Sequence, residues 1–405
     1  MSKLDELIAE LCPDGVEYKE IDEVFELKNG YTPSKENNEF WENGTIPWFR
    51  MEDIRKNGHI LSDSIQHITP KAVKGNLVPA NSIIIATSAT IGVHALITVD
   101  ALANQRFTFL TRKASYVEKL DIKYFFYYCD LLDEWCTQNT TLGNFNSVDI
   151  NKLRKHKFPV PPLPVQQEIV RILDNFTELK TQLTTELKAE IEARKKQYEY
   201  YRDWLLSQEE LNKLCPDGVE YKKIKQVYKR LKGTPITAGK MKEIDNPNGE
   251  IKIFAGGKTV INAMEKDIPN ANITRVPAVL VQSRGVIDAV YYDKPFTFKN
   301  EMWAYTADNT IAVKYLYYVL KNNLSYFRKA ASGMGSLPQI SLPVTEEFVI
   351  PVPPLPVQQE IVRILDNFTE STAELRVELE TELEARQKQY EYYRDKLLSF
   401  KEATV

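Results

Sequence analysis

The chain has 405 residues, 43% of them hydrophobic and 27% charged, with a formal net charge of −4. At roughly 150 residues per domain this length implies two to three domains, and the composition excludes wholesale disorder, a collagen-like repeat and a disulfide-stapled miniprotein. No run of about 18 apolar residues occurs, so no membrane span is expected.

Taken in chain order, Met1 to Glu10 carries Asp5, Glu6 and Glu10 without a basic start or an apolar segment. No secretory signal is expected, and the location implied is cytoplasmic. LCPDGVEYK follows at Leu11 to Lys19. Beyond it, Ser82 to Ala86 and Arg106 to Leu110 have strand character, and Lys123 to Trp135 has the pattern of a helix. Pro161, Pro162 and Pro164 suit an extended lead-in and a helix start. Apolar residues then recur at Val165, Ile169, Ile172, Leu173 and Phe176, with a turn or kink allowed at Asp174-Asn175. Leu179, Leu183, Leu187 and Ile191 continue at four-residue spacing, followed by Tyr198, Tyr201 and Leu205. Such a stripe lets a long helix bury one face against a partner helix.

The second half repeats this order. LCPDGVEYK recurs at Leu214 to Lys222, and PVPPLPVQQEIVRILDNFTE at Pro159 to Glu178 recurs without change at Pro351 to Glu370. Between these blocks, strands are expected at Val276 to Gln282 and Ala289 to Tyr292, and a helix at Ala312 to Asn322. The later stripe is Leu375, Leu379, Leu383, Tyr390, Tyr393 and Leu397. The intervening sequences diverge, but Gly30 keeps step with Gly233, Gly92 with Gly285, Asn104 with Asn300 and Gly143 with Gly335.

Two copies of one element tend to pair about an approximate two-fold axis, which makes the helices antiparallel. The expected fold is α+β: two globular domains joined by two long antiparallel helices in a pseudo-two-fold, circular arrangement. Residues 1–18 form a helical segment completing the repeat and 19–157 the first domain. Residues 158–213 are a central helical spacer, 214–349 the second domain and 350–405 a carboxy-terminal helical spacer. At ~1.5 Å per residue each helix is on the order of 60 Å long. A coiled coil that only dimerises would show the same stripe, but duplication of the flanking domains goes beyond it.

Charge is unevenly distributed. Residues 222–349 hold 19 Lys and Arg against 11 Asp and Glu, whereas residues 19–157 hold 17 of each. Both helical stretches are acidic. A basic globular segment on acidic helices points to a polyanion at the domains and protein at the helices, although a solvated basic face would look the same. In the first domain the available cations are Lys28, Lys35, Arg50, Arg106, Arg112 and the run from Lys152 to Lys157.

Catalytic signatures are missing from the sequence. It has neither a phosphate-binding loop nor a dinucleotide fingerprint, and Asn246-Pro247-Asn248-Gly249 reads as a turn. Asp14 and Glu17, with Asp217 and Glu220, imitate a nuclease's acidic pair, but they lie three residues apart across a turn at Gly15. The histidines His59, His67, His94 and His156 show no ligand spacing, nor do Cys129 and Cys136, so no metal is expected. All four cysteines are expected to be reduced and buried.

The chain resembles the specificity subunit of Type I restriction-modification enzymes. The likeness rests on PVPPLPVQQEIVRIL closing each variable domain and on the helical tails. Within the first domain it rests on NGYTPSK at Asn29 to Lys35, IPW at Ile46 to Trp48, SATIG at Ser88 to Gly92 and NQRF at Asn104 to Phe107. GTPIT at Gly233 to Thr237 and SRG at Ser283 to Gly285 match in the second, where Glu301 follows Asn300 in place of the Gln105 that follows Asn104. The resemblance implies that each domain is a target recognition domain reading half of a bipartite site in double-stranded DNA, with the helices setting the gap.

It also implies two methyltransferase (modification) subunits binding S-adenosylmethionine, restriction subunits using ATP and Mg, and a non-catalytic role for this chain with no cofactor of its own. The candidate DNA-contacting residues are Thr32, Ser34, Lys35, Arg50, Ser88, Asn104, Gln105, Arg106, Asn144 and Asn146. In the second domain they are Thr234, Thr237, Lys240, Arg284, Lys299, Ser332, Ser336 and Gln339. These residue types can reach base edges or phosphates, but each is equally ordinary surface or turn chemistry. Gly143 and Gly335 are expected to serve backbone geometry, and Trp48 the core. A related bipartite methyltransferase or nuclease system, or a coiled-coil scaffold with two protein-binding heads, is the alternative.

Overall fold

The computed structural model describes residues 2–141, 146–257, 259–331 and 337–403. The chain divides into two compact units, Met1–Thr185 with Thr381–Val405, and Glu186–Glu380. Both are α+β.

In the first unit a five-stranded sheet runs in the order Phe25–Asn29, Phe107–Arg112, Ser82–Ala86, His94–Ile97, Ile60–Leu61, antiparallel except for the last pair. Ser82–Ala86 is buried throughout because both faces of the sheet are covered. Alternation along the strand places Ile83 and Ile85 in one core with Tyr124, Phe125 and Leu132 of the helix Ile122–Gln138. Ile84 and Ala86 fall in another core with Phe49, Phe107 and Phe109. A smaller sheet joins His67–Ile68, Ile46–Phe49 and Leu102–Ala103. Tyr18–Glu20 pairs with Lys157–Pro159, so the chain enters and leaves the domain at one neck.

The second unit repeats the plan with four strands. The order is Lys229–Leu231, Trp303–Thr306, Ala278–Gln282, Asp288–Tyr292, all antiparallel. Val279 and Val281 share a core with Tyr315, Leu316 and Val319 of the helix Thr310–Asn322. Ala278 and Leu280 pack with Phe254, Phe296 and Phe298. The small sheet is Val260–Ala263, Ile251–Phe254, Phe296–Phe298, and the neck is Glu220–Lys223 with Val349–Val352. The expected strands and helices are present with shifted ends: Arg106 precedes its strand, and Val276 lies outside its strand at 47% exposure.

The long helices are Leu163–Leu205 and Leu355–Leu397, 43 residues each. In the first unit Phe176 stacks on Tyr393 at 6.0 Å, and Lys180 donates to Gln387. In the second, Tyr201 stacks on Phe368 at 4.9 Å. These are the same repeat positions with the helices exchanged, and within the first unit the segments run antiparallel.

One expectation about the helices is corrected. The helix runs through Asp174-Asn175 without a turn; the Asp174 carboxylate accepts from Lys123 and Tyr127 and so does not compete for its own backbone. Along the middle of the helices the stripe is the more covered face, with Leu183, Leu187, Ile191, Leu375, Leu379 and Leu383 half-buried, while Leu179 is 63% exposed. Burial concentrates at the helix ends. Val165, Ile169 and Leu173 join the first core with Leu398, and Ile361, Val362 and Leu365 join the second with Leu205 and Leu206.

The chain's two ends meet in the first unit. Val16 N donates to Lys401 O and Ala403 N to Val16 O, both at 2.9 Å, and the Tyr18 hydroxyl donates to Phe400 O at 2.8 Å. Helix Lys3–Leu11, capped by Ser2, lies beside this junction and places Leu4 in the first core. In the second unit the matching helix Gln208–Leu214 follows the first long helix without a break in the chain. That is the circular organisation: one unit is closed by non-covalent contacts where the other is closed by peptide bonds.

Candidate nucleic-acid interface

In each unit the loops at one end of the central sheet converge. The first begins at Gly30, whose N–H donates to Phe107 O, while Tyr31 N donates to Ala103 O, both at 2.9 Å. A side chain at Gly30 would place its Cβ 2.2 Å from Asn104 O, so only glycine permits the approach. Gly233 is held the same way, with Phe298 O at 2.3 Å. The loop after Gly30 is braced by two tryptophans: Trp48 donates to Tyr31 O and Trp41 to Ser34 O, each at 2.9 Å. Trp48 is buried, as expected of a core residue.

The braced loop brings Thr32 to the Asn104–Arg106 turn and leaves Ser34 and Lys35 exposed. Thr32 donates to Gln105, and Asn104 Oδ1 accepts from Arg106 N at 3.0 Å. Arg106 N is thereby fixed while its side chain projects from an exposed position, without an ion pair among the described residues. The next loop, Ser88 to Gly92, is tight: Thr90 N donates to Ser88 O across Ala89 at φ +66°, and Gly92 has φ +84°. Ser88 pairs with Ser147, bringing the exposed Asn146 to the same end. Arg50 sits nearby on Trp48, 5.9 Å from its ring centre, and pairs with Glu52 at 3.2 Å.

The second unit assembles the end differently. Thr234 is fully buried, sharing a 2.7 Å hydrogen bond with Thr297 and accepting from Asn272 N, so it shapes the loop and offers no surface. Thr237 is exposed and caps a helix by accepting from Lys240 N; Lys240 pairs with Glu243 at 2.7 Å. Arg284 is exposed and lacks an ion pair among the described residues; its backbone bridges to Gln339, which occupies the repeat position of Ser147. Gly285 has φ +79°, which explains its correspondence with Gly92.

One anchor moves. Asn104 N donates to Phe49 O and Lys299 N to Phe254 O, both at 3.0 Å. Lys299, rather than Asn300, therefore takes the place of Asn104, because strand hydrogen bonding sets register independently of residue identity. Lys299 pairs with Glu301 at 3.0 Å. Asn144, Ser332, Ser336, Gly143 and Gly335 lie outside the described residues.

Other sequence candidates are engaged elsewhere. Lys28 reaches Asn76 O, Arg112 reaches Leu120 O at the far end of its strand, and Arg154 pairs with Asp22. Glu17 pairs with Lys19, and Gly15 turns at φ +109°. Each histidine has a partner: His94 with Asp133 and His67 with Asp63, both at 2.7 Å, His156 with Tyr128, and His59 with His94 O. Burial pushes His156 down to about 4 and raises the Asp133 carboxyl. Among the described residues no group of three or more His, Cys, Asp or Glu could hold a metal, and no helix is long and apolar enough to cross a membrane. All four cysteines are free and buried.

Residues 13–193 and 216–385 match the type I restriction modification DNA specificity domain. The chain belongs to that family. It is 52% identical over 250 residues to the type I restriction enzyme EcoprrI specificity subunit of Escherichia coli, covering 59% of this chain and 60% of that subunit's length. It is 33% identical over 302 residues to the EcoR124I/EcoR124II specificity subunit of Escherichia coli, covering 69% and 71%. Among solved structures, a chain from work on complex assembly and conformational transition of the type I R-M system shares the fold at TM-score 0.66 and 16% identity, over 95% of this chain and 98% of that one. The HsdS subunit from Thermoanaerobacter tengcongensis does so at TM-score 0.52 and 14% identity, over 94% and 97%. Within this specificity-domain family member, the Ser88–Ser147 and Arg284–Gln339 bridges join loops about 55–60 residues apart, and the sequence pattern gave no signal for them.

Proposed function

We propose that this chain is the DNA-reading subunit of a type I restriction-modification complex, each domain reading one half of a bipartite duplex site through its loop end. The observation that carries this is the doubled loop end. Two domains with one scaffold hold different polar residues at equivalent backbone positions, and each presents an exposed arginine, Arg106 or Arg284, free of ion pairs among the described residues. Arginine is the side chain best suited to guanine edges and to phosphates.

The helices hold the two half-sites at a set gap. The repeated blocks are identical even at exposed positions such as Gln167 and Gln359 or Arg171 and Arg363, which packing alone does not require. Two copies of one protein partner, the methyltransferase subunits, fit such a doubled surface, with restriction subunits joining them. S-adenosylmethionine, ATP and Mg belong to those partners, the target adenine leaving the stack for the methyltransferase pocket. This chain contributes recognition without catalysis and works in the cytoplasm.

The test is exchange of residues 19–157 for the matching domain of a relative, followed by mapping of methylated adenines in cells carrying the complex. One half of the modified site should change and the other stay. Change in both halves, or in neither, overturns the reading; a protein-binding scaffold would also show no salt-sensitive retention on duplex DNA.

A further inference from the structure

The domain helices carry the same face in both units although their sequences differ. In the first, Lys123, Tyr127 and Asp130 lie three and four residues apart on Ile122–Gln138, and in the second Lys314, Tyr318 and Asn322 lie four apart on Thr310–Asn322. Asp174 of the first long helix accepts from Lys123 Nζ at 2.7 Å and from the Tyr127 hydroxyl at 2.6 Å. Asp366, its repeat on the second long helix, accepts from Lys314 at 2.6 Å and from the Tyr318 hydroxyl at 2.5 Å. An arginine from the other long helix completes each set. Arg394 reaches Asp130 at 3.2 Å, and its repeat Arg202 reaches Asn322 at 3.2 Å.

We infer that these two clamps are positioning elements that fix each reading domain's orientation on the helix pair and so set the number of base pairs tolerated between half-sites. The inference rests on the DNA-reading function proposed above. Apolar packing of the domain helix on the long helices is non-directional and tolerates small rotations. A carboxylate accepting from a lysine and a phenol one helical turn apart defines both rotation and height, because each bond weakens steeply with misalignment. Both tyrosines are driven up by burial and by the carboxylate, so they remain hydroxyl donors. Neither clamp touches the loop ends, so half-site identity is independent of it. A domain free to rock by a few degrees would meet its half-site at neighbouring spacings.

The experiment uses the full chain assembled with its methyltransferase subunits, acting on duplexes that carry both mapped half-sites with the gap varied one base pair at a time. The variants are Asp174→Asn and Asp366→Asn, with Tyr127→Phe and Tyr318→Phe as milder changes that keep the lysine pair. Wild type should methylate one gap strongly. The Asp variants should lose about tenfold in discrimination between that gap and its neighbours, the scale of one charge-assisted hydrogen bond, with half-site sequences and subunit assembly unchanged. If an Asp variant fails to fold, the Tyr variants carry the test, with a smaller loss expected in the same direction. Folded variants that keep the wild-type gap preference overturn the inference alone. A wild-type complex with no gap preference overturns the DNA-reading proposal as well.

Discussion

The two domains share a scaffold and differ in what braces and charges it. The Gly30 loop leans on two indole donors, Trp41 and Trp48, whereas the Gly233 loop is tied by the buried Thr234–Thr297 pair and by Asn272, whose side chain donates to Gly233 O at 2.7 Å. The necks differ too. Gln166 donates to Lys119 O and Pro161 O and accepts from Asp121 N, while its repeat Gln358 donates to Pro353 O and leaves Oε1 unpaired among the described residues. Glu168 is buried between Lys3 and Arg171, which hold its carboxyl down to about 2; Glu360 is half exposed with Arg363 alone. The first unit, closed by the free chain ends, carries extra polar ties at its neck, where the second has a covalent connection. A repeated backbone therefore does not require repeated interactions, only the same close approaches.

Those approaches supply the largest expected effect. Gly30→Ala and Gly233→Ala should each destabilise the domain by about 3 kcal/mol, because the added Cβ meets backbone oxygen that cannot move without breaking strand pairing. Denaturant unfolding checks this, and equal losses at the two sites would confirm that the glycines do the same work under different braces.

The next effect separates the domains. All four histidines lie in the first half, and His156 has a folded pKa of about 4 against 6.5. The unfolded chain therefore binds the proton first, so stability is lost as pH falls from 6.5 and the loss is complete below 4. At pH 5 the first domain should be weaker by about 2 kcal/mol on this account. Hydrogen exchange should show that loss in the first domain and not in the second, and His156→Gln should abolish it.

The smallest effect sharpens the comparison at the loop ends. Arg106→Ala and Arg284→Ala should each cost about 1.5 kcal/mol of DNA affinity and relax sequence preference in opposite half-sites. Binding to duplexes randomised in one half-site at a time reads this out. Relaxation of the same half by both variants would contradict one reader per domain.

The sequence alone determined the duplication, the α+β class, the long helices and the glycines of the loop ends, because repetition and periodicity are local records of what each segment must bury. It could not supply the Asp174 and Asp366 clamps, the meeting of Val16 with Lys401, or the shift that puts Lys299 where Asn104 stands. It also suggested Thr234 as surface, and its complete burial reverses that. These features join residues far apart in the chain, and their partners are chosen by packing and strand register. Only the tertiary structure decides which carboxylate faces which phenol, because local pattern fixes the face a residue occupies and not the group that waits opposite it.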